Sequence, residues 1–197
     1  MVVPLPDVAV SEPFAVVFGK LPRHGDFVSR GLAEGPRQAW DDWASQGLAE
    51  ARDRLGGQFE PAHDVAPPWR FVTGPGPFGP DWRAGALAPS VDSAGRRFVI
   101  VVAADGLSPV QAKDRGPAVA EDMESLIYSA FSNGWNVDEL ARAAASRLTS
   151  LSEPVRVDVA PQWWTEGSEE QPPRRLQGQG ADLLVRMLEP VGGEMSQ

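Results

Sequence analysis

The segment at residues 14–28, FAVVFGKLPRHGDFV, places an apolar run directly before a charged loop. Residues 14–21 are apolar almost throughout and β-branched in the middle, a pattern typical of a strand that is covered on both faces. Pro22 and Gly25 then interrupt the pattern. The segment therefore predicts a central strand of a sheet, followed by a polar loop.

Composition limits what such a sheet can belong to. With 197 residues, 42% of them hydrophobic, the chain is long enough for one domain with a proper core. The absence of cysteine excludes disulfides and thiol nucleophiles and fits a reducing compartment, so we predict a cytoplasmic protein. A net charge of −9 disfavours nucleic acid and anionic lipid, which attract basic patches, and favours a protein as the partner.

The ends of the chain differ from its middle. Residues 1–13 carry two early prolines and lack both a basic segment and a long apolar run, so they fit neither a signal peptide nor a membrane span. We expect a flexible leader at 1–13, a single domain at 14–190 and a C-terminal tail at 191–197.

Helical spacing of apolar residues predicts several helices. One runs from Pro36 to the glycines at 56–57, and the strongest runs over 117–134, with Pro117 near its start. Asn136 and Glu139 resemble a capping box that opens a third helix ending at Leu148, and a short helix follows at 181–188.

Extended segments alternate with these helices. We predict strands at 69–73, at 155–159 and around 162–167, and a hairpin over 82–104 with its turn at 92–95. The fold class that follows is α/β, a mixed β-sheet sandwiched between helices in a single domain.

Two kinds of chemistry deserve testing at the charged loop. His24 and Asp26, with Ser29 nearby, suggest a nucleophile, a base and its orienting group, but triad members normally converge from separate parts of a fold. Gly19, Lys20 and Gly25 suggest a phosphate loop, but Asp26 stands where the Walker pattern requires lysine. We therefore predict no catalytic residue, and His24 and Asp26 are expected to bond loop backbone instead.

Metal and cofactor sites also lack support in the sequence. The chain has two histidines, and His63 sits in a segment that we predict to be a proline-rich loop. No histidine or acidic cluster has ligand spacing. We predict no metal and no cofactor.

The turn within PSVDSAGRR, residues 89–97, has two interpretations. A carboxylate and a guanidinium in one tight turn commonly lock that turn by a charge-assisted hydrogen bond. Alternatively, this turn and the charged loop lie side by side and present one mixed-charge surface for a protein. The second interpretation makes a partner-binding set of the following residues: Lys20, Arg23, His24, Asp26, Asp92 and Arg96.

Seven tryptophans are many for this length. Trp40, Trp43 and Trp69 lie on predicted helical or strand faces and are assigned to the core. Trp82, Trp163 and Trp164 flank loops, which makes them the better candidates for an interface, although core packing stays open for them as well.

Four segments together resemble the TagF family of type VI secretion system-associated proteins, in its N-terminal or stand-alone domain. They are GKLPRHGDFV (19–28), AWDDWASQGL (39–48), PPWRFVTGPGPFG (67–79) and GALAPSVDSAGRRF (85–98). The resemblance spans roughly residues 14–190. One departure is Val99, because the family usually has proline after the last of these segments.

The resemblance implies a cytoplasmic, non-enzymatic α/β protein that represses the secretion apparatus posttranslationally by binding its forkhead-associated (FHA) scaffold protein. The rival hypotheses are a small hydrolase that uses His24 and Asp26, and a structural component of the apparatus. In the loop itself, we expect Gly19 and Gly25 to adopt backbone geometry that a Cβ atom would forbid and Pro22 to stiffen the exit from the strand.

Overall fold

A seven-stranded sheet organises the part of the chain that the computed structural model describes, residues 12–148, 162–167 and 171–189. The expected strand at 155–159, the tail at 191–197 and most of the leader at 1–13 lie outside these residues. The elements in chain order are β1 (Phe14–Gly19), β2 (Val28–Arg30), α1 (Glu34–Leu55), α2 (Phe59–Val65), β3 (Trp69–Thr73), β4 (Trp82–Val91), β5 (Arg97–Leu107), α3 (Pro109–Asn133), α4 (Val137–Leu148), β6 (Gln162–Trp164), β7 (Arg175–Leu176) and α5 (Asp182–Leu188).

The strands follow the order β2-β1-β5-β4-β3-β6-β7. Every pairing between these strands is antiparallel, so the described sheet contains no parallel pair of strands. β5 is an interior strand, third in this order, and pairs with β1 on one side and with β4 on the other, which matches the buried run predicted for both β1 and β5. The predicted hairpin is β4–β5.

Helices cover both faces of the sheet, which confirms the predicted α/β architecture in a single domain. On β5, Val99, Val101 and Ala103 face the layer of α1, α2 and α5. The alternate residues of the same strand face α3 and α4. This alternation follows from the two-residue period of a strand, and it buries β5 on both sides.

Aromatic rings fill the layer between α1 and the sheet. Trp40 stacks on Phe78 with ring centroids 3.8 Å apart, and Trp163 lies 4.6 Å from Phe71. Trp40, Trp43 and Trp69 are buried as predicted. For Trp163 the structure decides between the two open alternatives in favour of the core, because its pairing opposite Phe71 turns the ring into this layer. Trp82 and Trp164 are half-buried and pack on the opposite core.

The longest helix begins eight residues earlier than its sequence suggests. α3 starts at Pro109, where Ser108 and Gln111 form a capping box, and Pro117 lies inside the helix instead of near its start. The predicted capping box at Asn136 and Glu139 is present at the start of α4. None of the helices that the structure describes is long and apolar enough to cross a membrane.

Candidate interaction surface

The charged loop, residues 20–27, and the hairpin turn, residues 92–96, lie side by side at one end of the sheet. They meet because β1 pairs with β5, so the exit of β1 lies next to the β4–β5 turn. The Lys20 amide donates to the carbonyl of Val99 at 3.0 Å, and the Ser93 amide donates to the carbonyl of His24 at 2.9 Å. The structure therefore brings together the two segments from which the partner-binding set was predicted.

A buried ion pair joins the two segments. The Lys20 ammonium donates to Asp92 Oδ2 at 2.9 Å, and the two side chains are 8% and 0% exposed. Ser90 Oγ adds a hydrogen bond to the carbonyl of Lys20 at 2.7 Å. The hydrogen bond from Lys20 holds the pKa of Asp92 far below its ordinary value, and smaller contributions in the same direction come from hydrogen bonds within the turn.

Asp92 also organises its own turn. Its Oδ1 accepts hydrogen bonds from the amides of Ala94 and Arg96 at 3.0 and 2.9 Å. Arg96 Nε donates to Oδ2 at 2.6 Å, and Arg96 Nη2 reaches across to the carbonyl of Gly25 at 2.6 Å. The turn is therefore locked internally, as the first interpretation predicts, and it is also bonded to the charged loop. Its use as a surface for a protein partner stays a prediction.

The other side of the loop is tied to the α3–α4 layer. Arg23 Nη1 donates to the carbonyl of Gly134 at 2.7 Å, at the end of α3. His24 Nε2 accepts a hydrogen bond from the amide of Val137 at 3.1 Å, at the first residue of α4. An accepting Nε2 requires the neutral ring with its proton on Nδ1. The loop is thus fastened to the hairpin turn on one side and to the α3–α4 layer on the other.

These contacts leave the hydrolase arrangement unassembled in the described residues. The atom of His24 that would take a proton is already occupied by Val137, and Asp26 is exposed without a hydrogen bond or ion pair to any described residue. The two side chains therefore lack the mutual bond that a base and its orienting carboxylate need.

The predicted set divides by exposure. Lys20 and Asp92 are buried as an ion pair, and His24 is half-buried. Arg23, Asp26 and Arg96 are exposed. Sequence reasoning missed Phe27, which is 48% exposed, packs edge-on against Phe98 at 4.6 Å and has the Lys20 ammonium 5.1 Å from its ring. An aromatic residue directly after charged loop residues was the available signal.

Gly19, at the end of β1, and Gly25, in the charged loop, have different roles. Gly19 has φ of +128°, and a Cβ atom there would lie 2.0 Å from the carbonyl oxygen of Val99, so its expected role is met. The expectation for Gly25 is wrong, because its φ is not positive and a Cβ atom would only touch Ser93 Oγ at 3.5 Å.

His63 lies in α2, not in the loop that was predicted. It is buried, and its Nε2 donates to the carbonyl of Phe98 at 2.7 Å. Burial lowers its pKa, which favours the neutral ring. Among residues 12–148, 162–167 and 171–189, no three histidine or acidic side chains form a group that could hold a metal ion.

Comparisons with known proteins agree with this arrangement. The model of a family described as the TagF N-terminal domain, type VI secretion system-associated, matches residues 16–147, which include the charged loop and the turn. Among solved structures, the chain is similar to PA0076 from Pseudomonas aeruginosa PAO1, with 27% sequence identity and a TM-score of 0.74. That match covers 93% of this chain and 97% of the other. A search of curated proteins found no match.

Proposed function

Since this chain belongs to the TagF N-terminal domain family, which is associated with the type VI secretion system, we propose that it is a non-enzymatic regulator of that system. The partner in this proposal is the FHA scaffold protein, as the family resemblance implies. Binding in the cytoplasm would occupy the scaffold and limit its availability for assembly, so the protein would repress secretion without making or breaking a covalent bond.

The observation that carries the proposal is the prior ordering of the charged loop. Its backbone is hydrogen-bonded to the hairpin turn, and its Lys20 forms a buried ion pair with Asp92. Arg23 and His24 are hydrogen-bonded to the backbone where α3 ends and α4 begins. A surface that is fixed before binding loses little conformational entropy on association. Such rigidity is useful for a recognition surface.

The side chains that this fixed loop exposes also support a protein partner. Phe27 offers a half-exposed aromatic ring, and Arg23, Asp26 and Arg96 surround the same loop and turn with charges of both signs. Aromatic and arginine side chains supply much of the energy at protein interfaces. Charges of both signs set the orientation in which a partner binds and disfavour proteins whose charges do not match.

Calorimetry between the purified protein and the FHA protein of the same gene cluster tests the proposal. We expect binding by the wild type and a loss of at least about tenfold in affinity for the double variant Arg23→Ala/Asp26→Ala. The matched control is Asp122→Ala/Arg147→Ala, which removes the same two charges from an ion pair between α3 and α4. Its affinity should stay within about twofold of wild type.

Each result has a definite meaning. Equal binding by the loop variant and the control would keep the partner but remove the charged loop from the interface. No binding by the folded wild type would overturn the proposed partner. A fixed stoichiometry of this protein in purified apparatus would favour a structural component over a regulator.

A further inference from the structure

A pocket lies beside the charged loop, on the side of the sheet covered by α1 and α2. Its walls come from the exit of β1, the last turns of α1, the start of α2 and the hairpin turn. The lining residues are Lys20, Arg52, Phe59, Glu60, Gly95, Arg96 and Arg97. The pocket is therefore continuous with the surface assigned above to partner binding.

The charge of this lining contrasts with that of the whole chain. Four of its residues are cations and one is an anion, in a protein with a net charge of −9. Lys20 and Arg96 share Asp92, and Arg97 pairs with Glu60 at 3.0 Å and with Asp64 at 2.7 Å. With Asp64 and Asp92 included, four cations and three carboxylates give this cluster a net charge of +1. A locally positive concavity on an acidic protein attracts anionic groups.

Arg52 is the lining cation without a carboxylate among the described residues. Its guanidinium carbon lies 4.7 Å from the ring centroid of Phe59, and no ion pair or hydrogen bond joins it to the described part of the chain. Arg54, two residues further along the same helix, instead pairs with Glu189 at 3.6 Å. Stacking on Phe59 holds the Arg52 guanidinium in the pocket while its N–H donors stay available.

We propose that this pocket binds the carboxylates of an acidic segment of a partner protein, with Arg52 as the principal donor. A guanidinium matches a carboxylate with two parallel hydrogen bonds, and the neighbouring Arg96 is fixed in place by Asp92 and by the carbonyl of Gly25. The inference rests on the proposed function, because it names the chemistry of the partner at the same surface.

The first probe is a fluorescently labelled hexaglutamate peptide, whose binding is measured by fluorescence anisotropy at low salt. The wild type should bind it, and affinity should fall as NaCl is added, because exposed charges are screened. Arg52→Gln should weaken binding about tenfold, whereas Arg54→Gln, two residues away and outside the pocket lining, should change it less than about twofold. Thermal unfolding of each variant confirms that it is folded.

Several outcomes would overturn the inference. Absence of hexaglutamate binding, equal binding of a hexalysine peptide, or equal losses in Arg52→Gln and Arg54→Gln would each do so. Inorganic phosphate that binds at matched ionic strength where hexaglutamate does not would make this a site for small anions only. Self-association that Arg52→Gln abolishes, in the absence of peptide, would assign the pocket to a second copy of the chain.

The same variants separate this inference from the proposed function. If the FHA protein binds the wild type and Arg52→Gln equally, that partner stands and the acidic-segment inference fails. If hexaglutamate binds through Arg52 but the FHA protein does not bind, the pocket stands and the partner must be sought elsewhere.

Discussion

The β4–β5 hairpin carries a buried ion pair at each end, and the two pairs are built differently. At the turn end, Asp92 accepts from Lys20, from Arg96 and from two turn amides, so both of its oxygens are satisfied. At the open end, one oxygen of Asp105 accepts from Arg83 Nε and Nη2 at 3.3 and 3.2 Å. These distances exceed those of strong charge-assisted bonds.

The open end also leaves a donor without a partner. Arg83 and Asp105 are only 1% and 8% exposed at their side chains, and Arg83 Nη1 is buried with no hydrogen-bond acceptor among the described residues. Removing charges from water costs free energy that only complete pairing offsets. The comparison teaches that burial alone does not make an ion pair stabilising, and that the turn end is the one built to hold segments together.

Replacing Asp92 should have the largest effect on stability. In Asp92→Ala the buried Lys20 ammonium loses its carboxylate and the turn loses its acceptor, so the melting temperature should fall by roughly 10 °C in circular dichroism. Asp26→Ala is the matched control, because Asp26 is exposed in the neighbouring loop, and it should shift the melting temperature by less than about 2 °C. Equal shifts would refute the role of Asp92.

The same variant has a defined pH dependence. The pKa of Asp92 is lowered in the folded protein, so its contribution to stability is present above the ordinary pKa of 3.8 and is lost as pH falls below that value. The difference between wild type and Asp92→Ala should therefore narrow in acid, as measured by urea denaturation. A difference that stays constant to well below pH 3.8 would contradict this linkage.

Apolar replacement of each whole pair should separate the two ends next. Arg83→Met/Asp105→Leu should stay within about 2 kcal/mol of the wild type, because it also removes the unpartnered Arg83 Nη1. Lys20→Met/Asp92→Leu should be clearly less stable, since two turn amides lose their acceptor, against the single amide of Gly106 at the open end. Urea denaturation measures both, and equal losses would show that the open end is as important as the turn end.

The turn end was largely predictable because its signals are local. The Asp92–Arg96 bond and the capping box of α4 join residues three or four positions apart, and the β4–β5 hairpin pairs strands that follow each other in sequence. By contrast, the pairing of β1 with β5 joins distant segments, and it decided between an isolated turn and one shared with the charged loop.

The points that the sequence left open or predicted wrongly have physical causes as well. Trp163 borders a polar segment in sequence, which left its position open, and its pairing with Phe71 buries it. Pro117 suggests a helix start, while the capping box at Ser108 begins α3 one proline earlier, at Pro109. His63 lies between prolines in sequence, yet α2 forms and points its ring at the carbonyl of Phe98. The positions of Trp163 and His63 depend on contacts between distant segments, which single-sequence patterns do not contain. The Ser108–Gln111 capping box, in contrast, is a local signal that the prediction overlooked.

A smaller, pH-dependent effect is expected at His63, which abuts the start of β5. Burial lowers its pKa from 6.5, so the folded protein favours the neutral ring and stability should fall as pH drops below 6.5, by at most about 1.4 kcal/mol per pH unit. In His63→Gln this contribution should vanish in urea denaturation at about pH 7.5 and about pH 5.5. An unchanged pH dependence would assign it to other groups.

The smallest effect concerns the link from the turn end to the second helix layer. His24→Ala removes the acceptor for the amide of Val137 while keeping the backbone bond from Ser93, so stability should fall by about 1 kcal/mol. Hydrogen exchange should accelerate at Val137 but not at Glu139, whose amide is held by Asn136. Unchanged exchange at Val137 would mean that the loop does not secure α4. Faster exchange at Val137 would show that the hydrogen-bond network around Asp92 extends through His24 to α4. Among the described contacts, the Arg83–Asp105 pair has no comparable link to a helix.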